Sequence, residues 1–244
     1  MTPFLLVLAA LVGAAFFTPL LFLVWIRNRE RYRRERLPPL LKAFLSGAVL
    51  GVIMAGLLAT MVAYVIPPAT VGAFQEAFPF LTAGAFLAVV VAPLAEEPAK
   101  AVWLLTFRGE LQEPEDGLVY GAAIGLGFGA TENVLYALVT LLFGGVELAV
   151  ATVVFRTLGT VLLHGAATAL VGYGATRSLR WGAHVHLPGL VPALGVAVLL
   201  HGAFNVLASV DDFAVNLAGV LAAALLFLAV AARVRALDRR GPHA

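Results

Sequence analysis

The chain has 244 residues, 61% of them hydrophobic and only 12% charged, with a formal net charge of +2 and no cysteine. A soluble domain is nearer half apolar and a quarter charged, so an ordinary soluble protein is excluded. Disulfides and thiolate metal sites are excluded too, and the basic residues flank apolar runs instead of forming a nucleic-acid patch.

Apolar runs of about 20 residues recur, the length that crosses a bilayer as a helix. The first covers residues 4–26. Thr2-Pro3-Phe4 gives it no basic leader, so it reads as a retained span and not as a signal peptide. The arginine-rich stretch from Arg27 to Arg36 follows and reads as an anchor on anionic lipid. The second span covers 40–66 and is closed by Pro67-Pro68. Residues 69–78 are short and mixed, which suits an interfacial segment. The third span, 80–107, carries Glu96, Glu97 and Lys100. An acidic loop at 108–117 follows, in which Asp116-Gly117 reads as a turn and helix cap. The fourth span is 118–143, the fifth 146–176, the sixth 188–210 and the seventh 213–233. His184-Val185-His186 reads as a solvated loop between the fifth and sixth. No repeat or second domain is visible, so 1–244 forms one membrane domain with its motifs in 80–210.

Lys and Arg orient these spans. With 27–36 in the cytoplasm, every basic residue except Lys100 and Arg156 lies in or beside a cytoplasmic segment. The expectation is an all-α, polytopic protein of the cell membrane with about seven spans, N-terminus out and C-terminus in.

Charged groups at a helix centre cost roughly 2.5–3.5 kcal/mol each, so Glu96, Glu97 and Lys100 need partners, water or a task. Other polar residues match their depth. At 1.5 Å per residue Glu97 lies about 15 Å from the cytoplasmic end of its span, His164 about 18 Å, and Glu132 and His201 about 20 Å. Four helices therefore carry polar groups at one level, which points to a shared wet pocket. Glu96 and Lys100 are spaced i, i+4, as are His164 and Thr168, His201 and Asn205, and the series Arg156, Thr160, His164. Glycines around Glu132 and Asn133 allow close helix approach.

This set suits peptide hydrolysis. A poorly solvated carboxylate, Glu96 or Glu97, can act as general base. Lys100 and Arg156 balance charge, with Arg156 a counter-ion to Glu132 or Glu97. His201 and Asn205 can donate to an oxyanion. A second version gathers zinc with Glu97, His164, His201 and Glu132. The compact His-Glu-x-x-His helix is absent, which favours the metal-free version.

The order Glu96-Glu97-x-x-Lys100, Asp116-Gly117-Leu118-Val119-Tyr120-Gly121, Gly127-Phe128-x-x-x-Glu132-Asn133, Arg156 with His164, and His201-x-x-x-Asn205 resembles the PrsW family of intramembrane proteases. The resemblance covers about 96–205. The wider group includes type-II CAAX prenyl endopeptidases, whose second motif ends in histidine where this chain has Glu132. Their first motif has arginine one position after Lys100, so the chain is PrsW-like and a prenyl substrate is disfavoured. The resemblance implies cleavage of a single-span membrane protein, an anti-sigma factor in the family. It also implies Glu96, Glu97, Glu132, His164 and His201 as essential, and leaves open a glutamate or metal mechanism. Two other classes fit intramembrane ionisable groups: a cation- or proton-coupled transporter, and a scaffold holding a partner's transmembrane helix. Duplicated halves, the usual transporter mark, are not visible.

Overall fold

The computed structural model describes residues 3–81, 84–177 and 187–238. Among them the regular structure is entirely helical, apart from an isolated antiparallel bridge between Leu81 and Val210. Five stretches are long and apolar enough to cross a membrane: Phe4–Arg27, Leu37–Val65, Pro114–Thr176, Pro188–Ala208 and Phe213–Asp238. The His184-Val185-His186 loop and the last residues of the tail lie outside the described residues.

The first helix, α1, is Pro3–Arg27. The second, α2, is Leu37–Val65, with a π turn at Ser46–Gly51. The mixed segment after Pro67 forms a short helix, α3, Pro68–Ala77, with no buried residue. A second π turn, Leu87–Val91, leads into α4, Ala92–Leu105, which carries the acidic pair.

The stretch Pro114–Thr176 is 63 residues long. A straight helix of that length would span about 95 Å, roughly three times the hydrocarbon core. It folds back instead. Gly145 takes φ 83°, ψ −178°, a conformation that glycine alone adopts readily. This separates α5 (114–144) from α6 (146–158). A kink at Gly159 leads into α7, Thr160–Thr176. The start of α5 is earlier than the expected loop 108–117 allows, because Pro114 suits a first helical turn and Glu113 with Asp116 completes a capping box. The bundle is completed by α8, Leu187–Ala208, and α9, Phe213–Asp238.

Helix α5 is the centre. Every residue from Asp116 to Ala130 is buried, as expected of a helix with protein on all sides. Gly117, Gly121, Gly125 and Gly129 recur every fourth residue and meet Gly172, Thr168, His164 and Val161 of α7. One series rises as the other falls, so the two helices run antiparallel. A methyl group on Gly121 or Gly125 would overlap the α7 backbone. On the opposite face Gly127 abuts the Phe44 backbone, and Gly47 of the π turn abuts Ile124. Small residues thus bring three backbones together where burial of apolar surface drives little association. Leu23, Ile26, Leu40, Phe44, Phe227 and Val230 close the core from α1, α2 and α9.

Candidate active site

The close α5–α7 seam fixes Glu132 opposite His164, whose Nε2 lies 2.9 Å from Glu132 Oε2. Arg156 of α6 approaches the same carboxylate oxygen at 2.8 Å and lays its guanidinium 3.7 Å over the Tyr136 ring. Sequence spacing left Arg156 between two acids, and the structure pairs it with Glu132.

Helix α4 brings the rest. Lys100 Nζ lies 2.7 Å from Glu97 Oε1 and 2.8 Å from His164 Nδ1. His201 of α8 places Nδ1 2.7 Å from the same Glu97 oxygen. Glu97, Lys100 and His164 are fully buried and His201 nearly so. The two imidazoles meet edge to face, centroids 4.8 Å apart. Glu96 stands alone. Its Oε2 is buried without a hydrogen-bond partner, 3.9 Å from Nε2 of both His164 and His201. So the sequence-predicted Glu96, Glu97, Lys100, Glu132, Arg156, His164 and His201 form one connected cluster drawn from five helices.

These partners assign the imidazole tautomers. With Lys100 as an ammonium, it donates to His164 Nδ1, so the His164 proton sits on Nε2 and points at Glu132. With Glu97 as a carboxylate, His201 donates from Nδ1, so its Nε2 presents a lone pair toward Glu96. The two histidines are therefore complementary, one a donor and the other an acceptor. Burial of charge on Glu97 and Lys100 is offset because each faces the other and both bond an imidazole, although Glu97 Oε2 is buried without a hydrogen-bond partner.

Two predicted residues stand outside this cluster. Asn133 is buried and donates to the Val153 carbonyl at 3.2 Å and to Thr157 Oγ1 at 2.9 Å, joining α5 to α6. Asn205 donates to the Ala88 carbonyl at 2.7 Å. In a π turn a carbonyl looks five residues ahead for its donor. Leu87 finds the Ala92 N–H, but Ala88 would look to Pro93, which has none. Asn205 supplies the missing donor. One turn earlier, Gly202 leaves room for the Val89 carbonyl, which a Cβ would meet at 3.0 Å.

The donor atoms that gather as a metal site would require belong to Glu96, His164 and His201, all within 4.8 Å of one another. The sequence-derived set had Glu97 and Glu132 with the two histidines. Glu97 instead sits behind His201, and Glu132 faces Arg156 and His164. A ring that spacing alone passed over is Phe128, with Lys100 Nζ 4.6 Å from its centroid and His164 packed edge-on. Its signal was its place in the Gly127-Phe128 step of the α5 motif.

A buried centre of acids, imidazoles and one lysine in an all-helical membrane protein fits the intramembrane hydrolase class. A family model described as PrsW family intramembrane metalloprotease matches residues 35–232. The Protease PrsW of Clostridioides difficile (strain 630) is 27% identical over 196 residues, covering 79% of this chain and 76% of that protein. Its counterpart in Geobacillus kaustophilus (strain HTA426) is 30% identical over 169 residues, 67% of this chain and 64% of that one. In Bacillus subtilis (strain 168) the figures are 27% over 201 residues, 80% and 81%. No solved structure matches the chain significantly. The chain belongs to the PrsW family of intramembrane proteases, and it is a multi-pass membrane peptidase.

Proposed function

We propose that the cluster hydrolyses a peptide bond in a single-span membrane protein, with Glu96 as the base. The observation that carries this is the unpartnered Glu96 oxygen, held 3.9 Å from both imidazole Nε2 atoms. A water lodged there meets a carboxylate and the His201 lone pair; Glu96 takes its proton as it attacks the peptide carbonyl and returns that proton to the amine that leaves as the C–N bond breaks. The His164 Nε2–H, backed by Lys100 on Nδ1, turns from Glu132 to the developing oxyanion. Glu97 orients His201, and Arg156 holds Glu132 at the rim. Asn205 positions α4 against α8 through the π turn.

The same three residues fit a zinc ion. They offer one oxygen and two nitrogens, and His201 already carries a carboxylate on its far nitrogen, the usual support of a metal-binding imidazole. His164 would join such a set only in its other tautomer, with Lys100 giving a proton to Nδ1 as the Nε2 proton passes to Glu132. Bound zinc would supply a water acidified toward neutral pH. The topology we propose has seven spans, with α5 and the α6–α7 pair as separate crossings, the N-terminus outside and the C-terminus in the cytoplasm. The substrate, as the resemblance implies, is an anti-sigma-factor-like single-span protein.

The test is cleavage of a single-span substrate in proteoliposomes by wild type, Glu96→Gln and Glu97→Gln. Full activity in a folded Glu96→Gln protein removes Glu96 from the chemistry. The transporter reading requires ion flux without any cleavage product. The scaffold reading requires partner capture that Glu96→Gln leaves intact, again without product.

A further inference from the structure

A second group of carboxylates lies at the end of the bundle where the loop after α1 meets the first turn of α5. Glu30, Glu35 and Asp116 each place an oxygen within 4.8 Å of the others. Each is held by neutral donors. Glu30 Oε2 accepts the Glu35 N–H at 2.9 Å, and Glu35 Oε2 accepts the Tyr120 hydroxyl at 3.1 Å. Asp116 Oδ2 accepts the N–H groups of Gln112 and Glu113 at 2.8 and 2.7 Å. Arg33 pairs with Glu113 and Arg36 with Glu110, while Arg34 and Arg27 donate to the backbone carbonyls of Glu30 and Glu35 and not to their carboxylates.

Three acids at this separation are relieved either by holding protons or by a positive charge among them, and only the second lets all three ionise together. One feature goes beyond clustering. Glu30 is only 1% exposed, and its Oε1 is buried with no hydrogen-bond partner. A buried carboxylate oxygen left bare is costly and calls for a ligand. A cavity of about 290 Å³ lies beside the group; Glu35, Glu110, Glu113 and Asp116 line it together with Arg33, Arg34 and Arg36, and Glu30 lies behind it.

We propose that Glu30, Glu35 and Asp116 bind a hard divalent cation of the calcium or magnesium type, at a site separate from the catalytic centre. The donors are all oxygen, which selects such ions over zinc. The cation would fasten the loop after α1 to the start of α5, the helix that carries Glu132. It gives the Asp116-Gly117-Leu118-Val119-Tyr120 motif, remote from the active site, a task of its own.

The probe is terbium(III), an oxygen-seeking stand-in for calcium whose emission is excited through a nearby tyrosine. Tyr120, bonded to Glu35, is that tyrosine. Full-length protein in a neutral detergent, stripped with chelator, should give saturable terbium emission that calcium or magnesium displaces. The ion effective at lower concentration identifies the preferred class. Glu35→Gln keeps the Tyr120 bond and Glu30→Gln keeps the Glu35 bond. Each should weaken terbium binding about tenfold or more, as loss of a ligand charge does, while Glu96→Gln should leave it unchanged. Absence of saturable emission from folded wild type overturns the proposal. So does unchanged binding in folded Glu35→Gln, which decides the matter alone if Glu30→Gln does not fold. Loss in Glu96→Gln would reassign the signal to the catalytic cluster and overturns it as well.

Discussion

The side-chain amide of Asn205 stands where the N–H missing from Pro93 would have been, 2.7 Å from the Ala88 carbonyl. This links the helix bearing His201 to the turn that launches Glu96 and Glu97. Asn205→Ala should therefore cost about 1–3 kcal/mol by leaving a carbonyl bare. It should lower kcat more than it raises KM, since the two halves of the site lose register. Adding Pro93→Ala restores a backbone donor, so the double variant should recover part of the loss in thermal midpoint and kcat. A double variant no better than Asn205→Ala would contradict this account.

The acidic pair divides its labour. Glu96→Gln should reduce cleavage by about 10²–10⁴-fold with little change in melting temperature. Glu97→Gln leaves Lys100 buried without its counter-charge and should cost about 3–5 kcal/mol. Parallel cleavage and thermal-unfolding measurements separate the two. Equal stability losses would mean that the pair does not face two different ways.

Zinc added to chelator-treated protein should raise the melting temperature of wild type. A hundredfold excess over Kd is worth about 2.7 kcal/mol. Glu96→Gln and His201→Ala should abolish the shift, and metal analysis of the same samples should show the corresponding loss of bound ion. An equal shift in the variants would place the metal elsewhere.

Outside the membrane spans, burial pushes the Glu30 carboxyl from 4.5 up to about 8, with Glu35, Asp116 and Asp238 adding repulsion and the Glu35 N–H opposing it. The folded protein holds this proton more tightly than the unfolded chain does. Its contribution to stability is complete below the unfolded value and is lost as pH rises through about 8. In chelator, wild type should therefore lose more thermal stability than Glu30→Gln between about pH 6 and about pH 8.5. Parallel curves for the two proteins would count against it.

The α5–α7 seam should tolerate no bulk. Gly121→Val should cost at least about 3 kcal/mol or prevent accumulation, because its side chain would enter the α7 backbone. Gly56→Val, at a position with open space around it, should accumulate normally. Membrane-fraction yield and thermal stability report the difference.

Much of this site could be read from the residues because charge inside an apolar run is expensive, so Glu96, Glu97, Glu132, His164 and His201 announced themselves. Matching depth put them at one level, and their side chains lie within 3.9 Å of one another in pairs. What spacing could not supply was facing. Glu96 and Glu97 differ by about 100° around the helix, and it takes the packing of α7 and α8 on α4 to leave Glu97 bonded to His201 and Glu96 Oε2 bare. The task of Asn205 was hidden for another reason. It depends on the π turn at Leu87–Val91, whose irregular hydrogen bonding leaves no periodic trace. The Glu30, Glu35 and Asp116 group was invisible because its members come from a basic loop and a cap, where acids are unremarkable until the chain folds.

The burial of α5 also bears on how the protein is made. During synthesis this glycine-rich segment leaves the translocation machinery before α7, the partner that covers its glycine face, has emerged. Until then α1, α2 and α4, made before it, are the surfaces that can shelter it. Fusions truncated after α5 should accordingly be held at the insertion site or degraded, whereas those extended through α7 should be released and persist.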